Sequence, residues 1–290
     1  MKVCGFTIVR NAIRYDYPVV ESILSILPVV DEMLVSVGDS EDETLQLIRD
    51  IDSPKIRIMQ STWDDSLREG GRVLAEETNK AMASIGPEFD WCFYIQADEV
   101  VHEKWIPVLK KSMADNLGRK EVQGLLFDYL HFYGSYEYLG DSRTWYRKEI
   151  RIIRNLPGMQ SYKDAQGFRY QGSKLKVLAT GAGIHHYGWV KNPRFQQAKQ
   201  REFHKLWHSD NWMEKHVAEA DEYDYSLIES LRKFEGSHPA VMAERISRCD
   251  WQFVFDVRKK RFILNKRILY LIEKWTGIRL FEYRNYRLIH

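Results

Sequence analysis

The sequence predicts an α/β fold in which a mostly parallel sheet is flanked by helices and followed by a helical C-terminal extension. Three observations predict it. Over the first hundred residues, short apolar runs alternate with helical patterns, as repeated βαβ units require. The run Trp91–Ile95 is almost wholly apolar, too hydrophobic for a solvated strand. From Phe195 onward the apolar spacing turns mostly helical.

The elements follow in order. Val3–Val9 reads as a buried strand. Pro18, at a first helical position, precedes Val19, Val20, Ile23, Leu24 and Leu27 at helical spacing, and Pro28 stops that run. Met33–Val37 is a second strand. A polar loop, Gly38 to Glu43, leads into Thr44, Leu45, Leu47, Ile48 and Ile51, the apolar positions of a short amphipathic helix. Ile56–Met59 is a third strand, Gly70-Gly71 opens a helix reaching Ser84, and Trp91–Ile95 is the fourth strand. Further strands are expected at Gly124–Phe132, Glu149–Ile153 and Ala182–His186. The pattern divides the chain into residues 1–195 and a helical extension, 196–290.

Composition narrows the class. The chain has 290 residues, 44% hydrophobic and 29% charged, which excludes collagen-like and broadly disordered chains. Aromatic residues, at 13%, suit a site that stacks flat or sugar-like ligands, and equally a Tyr-rich core. The 3 cysteines share no short spacing, so neither a disulfide framework nor a CxxC metal site is indicated. With no secretory h-region at the N-terminus and no apolar run of about 18 residues, a cytoplasmic protein is expected. The formal charge of +2 hides an asymmetry, because residues 257–290 hold 10 Lys and Arg against 2 Asp and Glu.

Open parallel sheets bind ligands at the carboxyl ends of their strands. That rule selects Arg10-Asn11, Gly38-Asp39-Ser40, Thr62-Trp63-Asp64-Asp65 and Gln96-Ala97-Asp98-Glu99. Asp98 and Glu99, projecting from a rigid edge, would suit Mg²⁺ or Mn²⁺ holding a phosphate, and the same pair would also serve as helix caps. Arg72, after Gly70-Gly71 at a helix N-terminus, suits a phosphate or a plain surface position. His186 ends the strand Ile184-His185-His186 and could add an imidazole to the metal or phosphate. No GxxxxGK[ST], GxGxxG or GxSxG motif occurs, so P-loop enzymes, dinucleotide dehydrogenases and serine hydrolases are not indicated.

The series Phe6-Thr7-Ile8-Val9-Arg10-Asn11, Val30-Asp31-Glu32-Met33-Leu34-Val35, Asp39 to Thr44, and Phe93-Tyr94-Ile95-Gln96-Ala97-Asp98-Glu99 resembles the family 2 glycosyltransferases of the GT-A fold. The resemblance covers about residues 1–190. It implies a nucleotide-sugar donor, a divalent metal (Mn²⁺ or Mg²⁺) and inversion at the anomeric carbon. By the same resemblance Asp39 matches the position that reads the nucleobase, Arg10 and Asn11 meet the nucleotide, and Arg72 approaches the diphosphate. Asp98 matches the metal-binding Asp of the DxD-type motif, and His186 the distal His that some relatives add. Gln96 departs from that motif: it can bond a ribose but carries no charge. Glu99 is counted with the donor-binding residues.

Transfer needs a base for the acceptor hydroxyl, on the face opposite the leaving group, so the base should not be Asp98. Asp164, in the polar-aromatic loop Ser161 to Arg169, is the candidate, with Glu149 and Asp128 in reserve. Tyr129, Phe132, Tyr133, Tyr136, Tyr138, Trp145 and Tyr146 would stack a glycan or lipid-linked acceptor, or pack beneath a loop. Leu264, Ile268, Leu271, Ile272 and Trp275 share one helical face in the basic tail, a pattern that fits either peripheral contact with an anionic membrane or packing on the chain's own domain. A nucleic-acid partner is not expected, since the body is acidic and carries no recognition motif. The expected activity is sugar transfer from a nucleotide donor in polysaccharide biosynthesis. Its alternatives are a catalytically inactive sugar-nucleotide-binding module and a nucleotidyltransferase.

Overall fold

A computed structural model describes residues 1–64, 66, 67, 70–205 and 220–290. Four parallel strands form its first half: β1 (Val3–Val9), β2 (Glu32–Gly38), β3 (Ile56–Ser61) and β4 (Trp91–Tyr94), in the order β3-β2-β1-β4. β1 pairs in register with β2 on one side, Phe6 opposite Leu34, and with β4 on the other, Phe6 opposite Tyr94. All seven residues of β1 are buried, because helices cover both faces of this central strand. The connecting helices are α1 (Val19–Ile26), α2 (Thr44–Arg49) and α3 (Arg72–Ala83). α1 buries Val19, Ile23 and Ile26 against the sheet, and Pro18 stands at its start as the sequence predicts. Gly71, at φ 70°, caps α3 in a left-handed conformation that suits glycine.

Beyond β4 the sheet becomes mixed. The three-residue strand β5 (Glu99–Val101) is followed by α4 (Ile106–Asp115), β6 (Gly124–Tyr133), β7 (Ser135–Gly140) and β8 (Lys148–Arg154). β8 runs antiparallel between β4 and β6, which restores β6 to the direction of β4. A small separate sheet holds β9 (Met159–Tyr162), β10 (Gly167–Tyr170) and β11 (Ser173–Lys174). The long strand β12 (Lys176–Trp189) then runs parallel to β6 and antiparallel to β5. The result is a Rossmann-like, mostly parallel mixed sheet flanked by helices.

The region after β12 contributes α5 (Pro193–Lys205), β13 (Leu231–Lys233), α6 (Ala243–Ser247), α7 (Leu264–Thr276) and β14 (Arg287–Leu288). The extension therefore supplies strands as well as helices: β13 pairs with β7, and β14 pairs with β12. Residues 206–219, which the helical pattern was expected to include, lie outside the described residues, as does Asp65.

One expectation changes in detail and another is resolved. The strand expected at Ala182–His186 begins six residues earlier, at Lys176, and is interrupted by an irregularity between Ala179 and Gly183. Gly134, at φ 72°, is the turn between β6 and β7, so Phe132, Tyr133 and Tyr136 stand on strands and, of the two readings open for them, the structure shows packing. Their rings are core: Phe132 stacks on Tyr187, and Tyr133 packs edge-on against Trp145 and Tyr225.

Candidate functional site

The carboxyl ends of β1 and β4 open into a cavity of about 660 Å³. Arg10 and Asn11 line it from β1, Gln96 and Asp98 from the end of β4, His131 from β6, His186 from β12 and Lys199 from α5. A second cavity, of about 970 Å³, adjoins it and is lined by Arg72, Asn79, Glu149, Lys163 and Tyr283 among others. Trp145, Tyr146, Asp164 and Gln166 line both. The two cavities therefore meet at Asp164.

At the β1 end, the backbone turns sharply and is stitched to the loop after β2. Asn11, at φ 54°, donates its N–H to Ser40 Oγ (3.0 Å) and accepts from the Glu41 N–H through Oδ1 (2.7 Å). Its oxygen is thus committed to the fold although the residue borders the cavity. Arg10 Nε donates to the Asp39 carbonyl (3.3 Å), lies 3.5 Å from Asp39 Oδ1, and its guanidinium sits 5.8 Å from the Trp63 ring. Asp39 also receives the Trp63 N–H at 3.2 Å. Arg10, Asp39 and Trp63 thus gather the ends of three neighbouring strands at one rim.

Glu99, expected among the donor-binding residues, lines neither cavity. It is fully buried, with Arg151 Nη2 at 2.7 Å from Oε1 and Arg151 Nε at 2.8 Å from Oε2. Tyr129 donates its hydroxyl to Oε1 (2.7 Å) and the Gln96 N–H goes to Oε2 (3.1 Å). The helix-cap alternative fails for Glu99 too, because it lies in β5 and the following helical turn is capped by His102. Arg151 spends its other hydrogens on the Ile150 and Gln166 carbonyls and on Gln96 Oε1 (3.4 Å). One buried ion pair therefore holds both the Gln96–Asp98 turn and the Asp164–Gln166 turn.

Asp98 projects into the cavity. Lys199 Nζ lies 3.2 Å from Oδ2, and His186 Nε2 lies 3.7 Å from Oδ1. Burial works against its charge, but the Lys199 ammonium, with help from His186 and the Lys191 ammonium, holds the carboxyl well below the usual carboxylate range. The tautomers follow from the hydrogen bonds. His131 Nε2 faces the Tyr146 carbonyl at 2.8 Å and must donate, so His131 Nδ1 accepts from His186 Nδ1–H at 3.2 Å. Burial pushes both imidazoles below their ordinary value, which favours the neutral rings this chain needs. The Nε2 lone pair of His186 is then turned toward Asp98.

A divalent cation fits that pair as donors, one nitrogen and one carboxylate oxygen, with His131 fixing the imidazole from behind. Among the described residues no group of three or more His, Cys, Asp or Glu side chains could hold a metal, so the remaining ligands would be a substrate's oxygens. Lys199 lies on the other carboxylate oxygen. Lys199 and the buried Lys191, whose pKa burial pulls down to about 7, were not singled out from the sequence, because both follow β12 in a stretch that reads only as an amphipathic helix start.

Asp164 sits on a strained turn. Lys163 (φ 56°) and Ala165 (φ 60°) both adopt left-handed backbone, unusual for residues with a Cβ. Burial raises the Asp164 pKa above the ordinary carboxylate value. Glu149, nearby in β8, is pushed up to about 8, first by burial and then by its charged neighbours Glu99 and Asp164, with Arg151 opposing. Its Oε2 is buried without a hydrogen-bond partner. Arg72, at the start of α3, faces the second cavity rather than Asp98. Asp128 pairs with Lys148 and borders neither cavity.

No family model matches the chain, and no curated protein matches it. Solved structures show partial likeness. S. aureus TarS matches with a TM-score of 0.39 and 14% identity, over 70% of this chain and 39% of that one. The 4-diphosphocytidyl-2C-methyl-D-erythritol synthase of Anaerococcus prevotii matches with a TM-score of 0.39 and 12% identity, over 66% of this chain and 89% of that one. Glucosyl-3-phosphoglycerate synthase of Mycobacterium tuberculosis, solved with Mn²⁺, UDP and phosphoglyceric acid, gives 0.30 and 22%, over 45% of this chain and 43% of that one. This chain thus spans under half the length of the TarS and glucosyl-3-phosphoglycerate synthase chains.

Two outcomes test this geometry. Arg151→Ala strands the Glu99 carboxylate in the core, so its urea midpoint should fall by an amount equivalent to about 3–5 kcal/mol. Glu149 is neutral when protonated, and its folded pKa lies above the unfolded value. Its contribution to stability is therefore complete below the ordinary glutamate range and is lost as the pH rises toward about 8. Melting curves across that window should fall for the wild type and flatten for Glu149→Gln.

Proposed function

We propose that the protein is a nucleotide-sugar-dependent glycosyltransferase of the GT-A type. The observation that carries this reading is the meeting of two cavities at Asp164: one at the strand ends, with the charge pattern of a diphosphate site, and one adjoining it, with room for an acceptor. The family 2 assignment, inversion and metal assistance belong to the same proposal and rest on the sequence resemblance.

In this reading the donor occupies the β1–β4 cavity, with its base toward Arg10, Asp39 and Trp63 and its diphosphate toward Asp98, His186 and Lys199. A divalent cation bound by Asp98 and His186 would supply positive charge to the diphosphate as the sugar leaves. The Lys199 ammonium offers a second positive charge at the same place. The acceptor lies in the second cavity, with Trp145 and Tyr146 forming the shared wall.

The step is a single displacement. Asp164 accepts the proton of the acceptor hydroxyl, whose oxygen forms a bond to the anomeric carbon. The bond from that carbon to the phosphate oxygen breaks, and the nucleoside diphosphate leaves with the electron pair. A carboxylate made more basic by burial is better suited to take that proton than an ordinary surface aspartate. Arg151 keeps Asp164 in range by holding the Gln166 carbonyl. Acceptors carried on a glycan or on a lipid both fit this description.

Two experiments test the proposal. A thermal-shift screen against UDP-, GDP-, ADP-, CMP- and dTDP-sugars, with and without Mn²⁺, should give a rise with one nucleotide that Asp98→Ala abolishes. No rise with any donor would contradict the reading; a rise without turnover would favour the inactive sugar-nucleotide-binding module. Asp164→Asn should lower kcat by about 10²–10⁴-fold while leaving donor binding unchanged. Unchanged turnover would remove Asp164 as the base and direct attention to Glu149.

A further inference from the structure

Helix α7 is mounted with its polar side inward. Glu273 bonds Arg143 at 2.7 Å, Tyr270 donates to Asp141 at 2.6 Å, and Lys274 reaches the same carboxylate at 2.8 Å. Lys266 pairs with Glu229 on the same side. The opposite stripe points to solvent: Leu264 is 72% exposed, Ile268 49%, Leu271 40% and Trp275 84%. The turn that follows continues it with Ile278 at 59% and Phe281 at 91%. Phe281 also takes a left-handed backbone, φ 58°, unfavourable for an aromatic residue, while its ring stays exposed. A helix folded only onto its own domain would show the reverse orientation.

The exposed charges of the tail have one sign. The two acidic residues of the tail, Glu273 and Glu282, are turned toward the body and bound by Arg143, Arg147 and Arg279. Lys259, Arg267 and Arg287 remain exposed. On a helical wheel Arg267 lies beside the apolar stripe, where a long cationic side chain can reach past buried neighbours to a charged plane. A second copy of this chain is a poor occupant, since pairing two such faces would bring two strongly basic tails together.

We propose that α7 and the 278–283 turn form a docking surface for an anionic lipid bilayer, with the helix lying in the plane of the interface. No helix among the described residues is long and apolar enough to cross a membrane, so contact would be peripheral. Leu264, Ile268, Leu271 and Trp275 enter the headgroup region while Arg267 and its basic neighbours meet the anionic headgroups. Phe281 and Tyr283 also line the second cavity, so a docked chain holds that cavity beside the lipid. The surface stands independently of the transferase reading.

Co-sedimentation of the full chain with phosphatidylcholine vesicles, with and without a phosphatidylglycerol fraction, tests it. The wild type should bind the anionic vesicles and release in high salt. Ile268→Ser with Trp275→Ser should weaken binding by about ten-fold or more, through lost apolar insertion, without lowering the melting temperature. Arg267→Ser alone should weaken it about five-fold. Absence of binding, equal binding to neutral vesicles, or indifference to these substitutions would overturn the proposal. So would a concentration-dependent dimer that the same serine substitutions abolish.

Discussion

The Glu99–Arg151 ion pair is the constraint on which the site depends. Two charges in a fully buried setting are costly unless every lone pair and hydrogen is used. Here both carboxylate oxygens carry two bonds each, from Arg151, Tyr129 and the Gln96 backbone. The guanidinium spends its remaining hydrogens on the two turns that border the cavities. The pair joins β5, β6 and β8 at the place where the sheet changes from parallel to mixed. Asp98 and Asp164 are thereby held from opposite sides by one buried side chain.

Charge is distributed around this pair in layers. The Lys199 ammonium favours the ionised form of Asp98, and burial with a bond to a second imidazole favours the neutral form of His186. At Asp164, where the cavities meet, and at Glu149, in the adjoining one, burial raises both pKa values. One fold thus favours the charged form of one carboxylate and makes two others more basic. That division matches the needs of a reaction in which a diphosphate is held on one side and a proton removed on the other.

The parallel half was legible because its strands are short apolar runs bounded by Pro and Gly. β1 matches its predicted bounds residue for residue, and the Gly70-Gly71 helix start is observed. Arg10, Asp98, Asp164 and His186 were singled out because they sit at strand ends or in a polar loop, and the fold brings all four to one cavity. Glu99 was misread because burial is not visible in a sequence: an acid beside Asp98 looks like a ligand until its arginine, 52 residues away, is placed. Lys199 had no local signature. The amphipathic pattern of α7 was plain, but its orientation depends on distant partners, above all Asp141 and Arg143.

The proposed function requires a nucleoside diphosphate at the ends of β1 and β4, with Asp164 standing between it and the acceptor. A crystal structure of the protein with a saturating nucleoside diphosphate and Mn²⁺ tests it most directly. The diphosphate should lie against Asp98, His186 and Lys199, the base beside Arg10 and Trp63, with an open path from the β-phosphate to Asp164. A nucleotide bound elsewhere, or a strand-end cavity that stays empty at saturation, would contradict it.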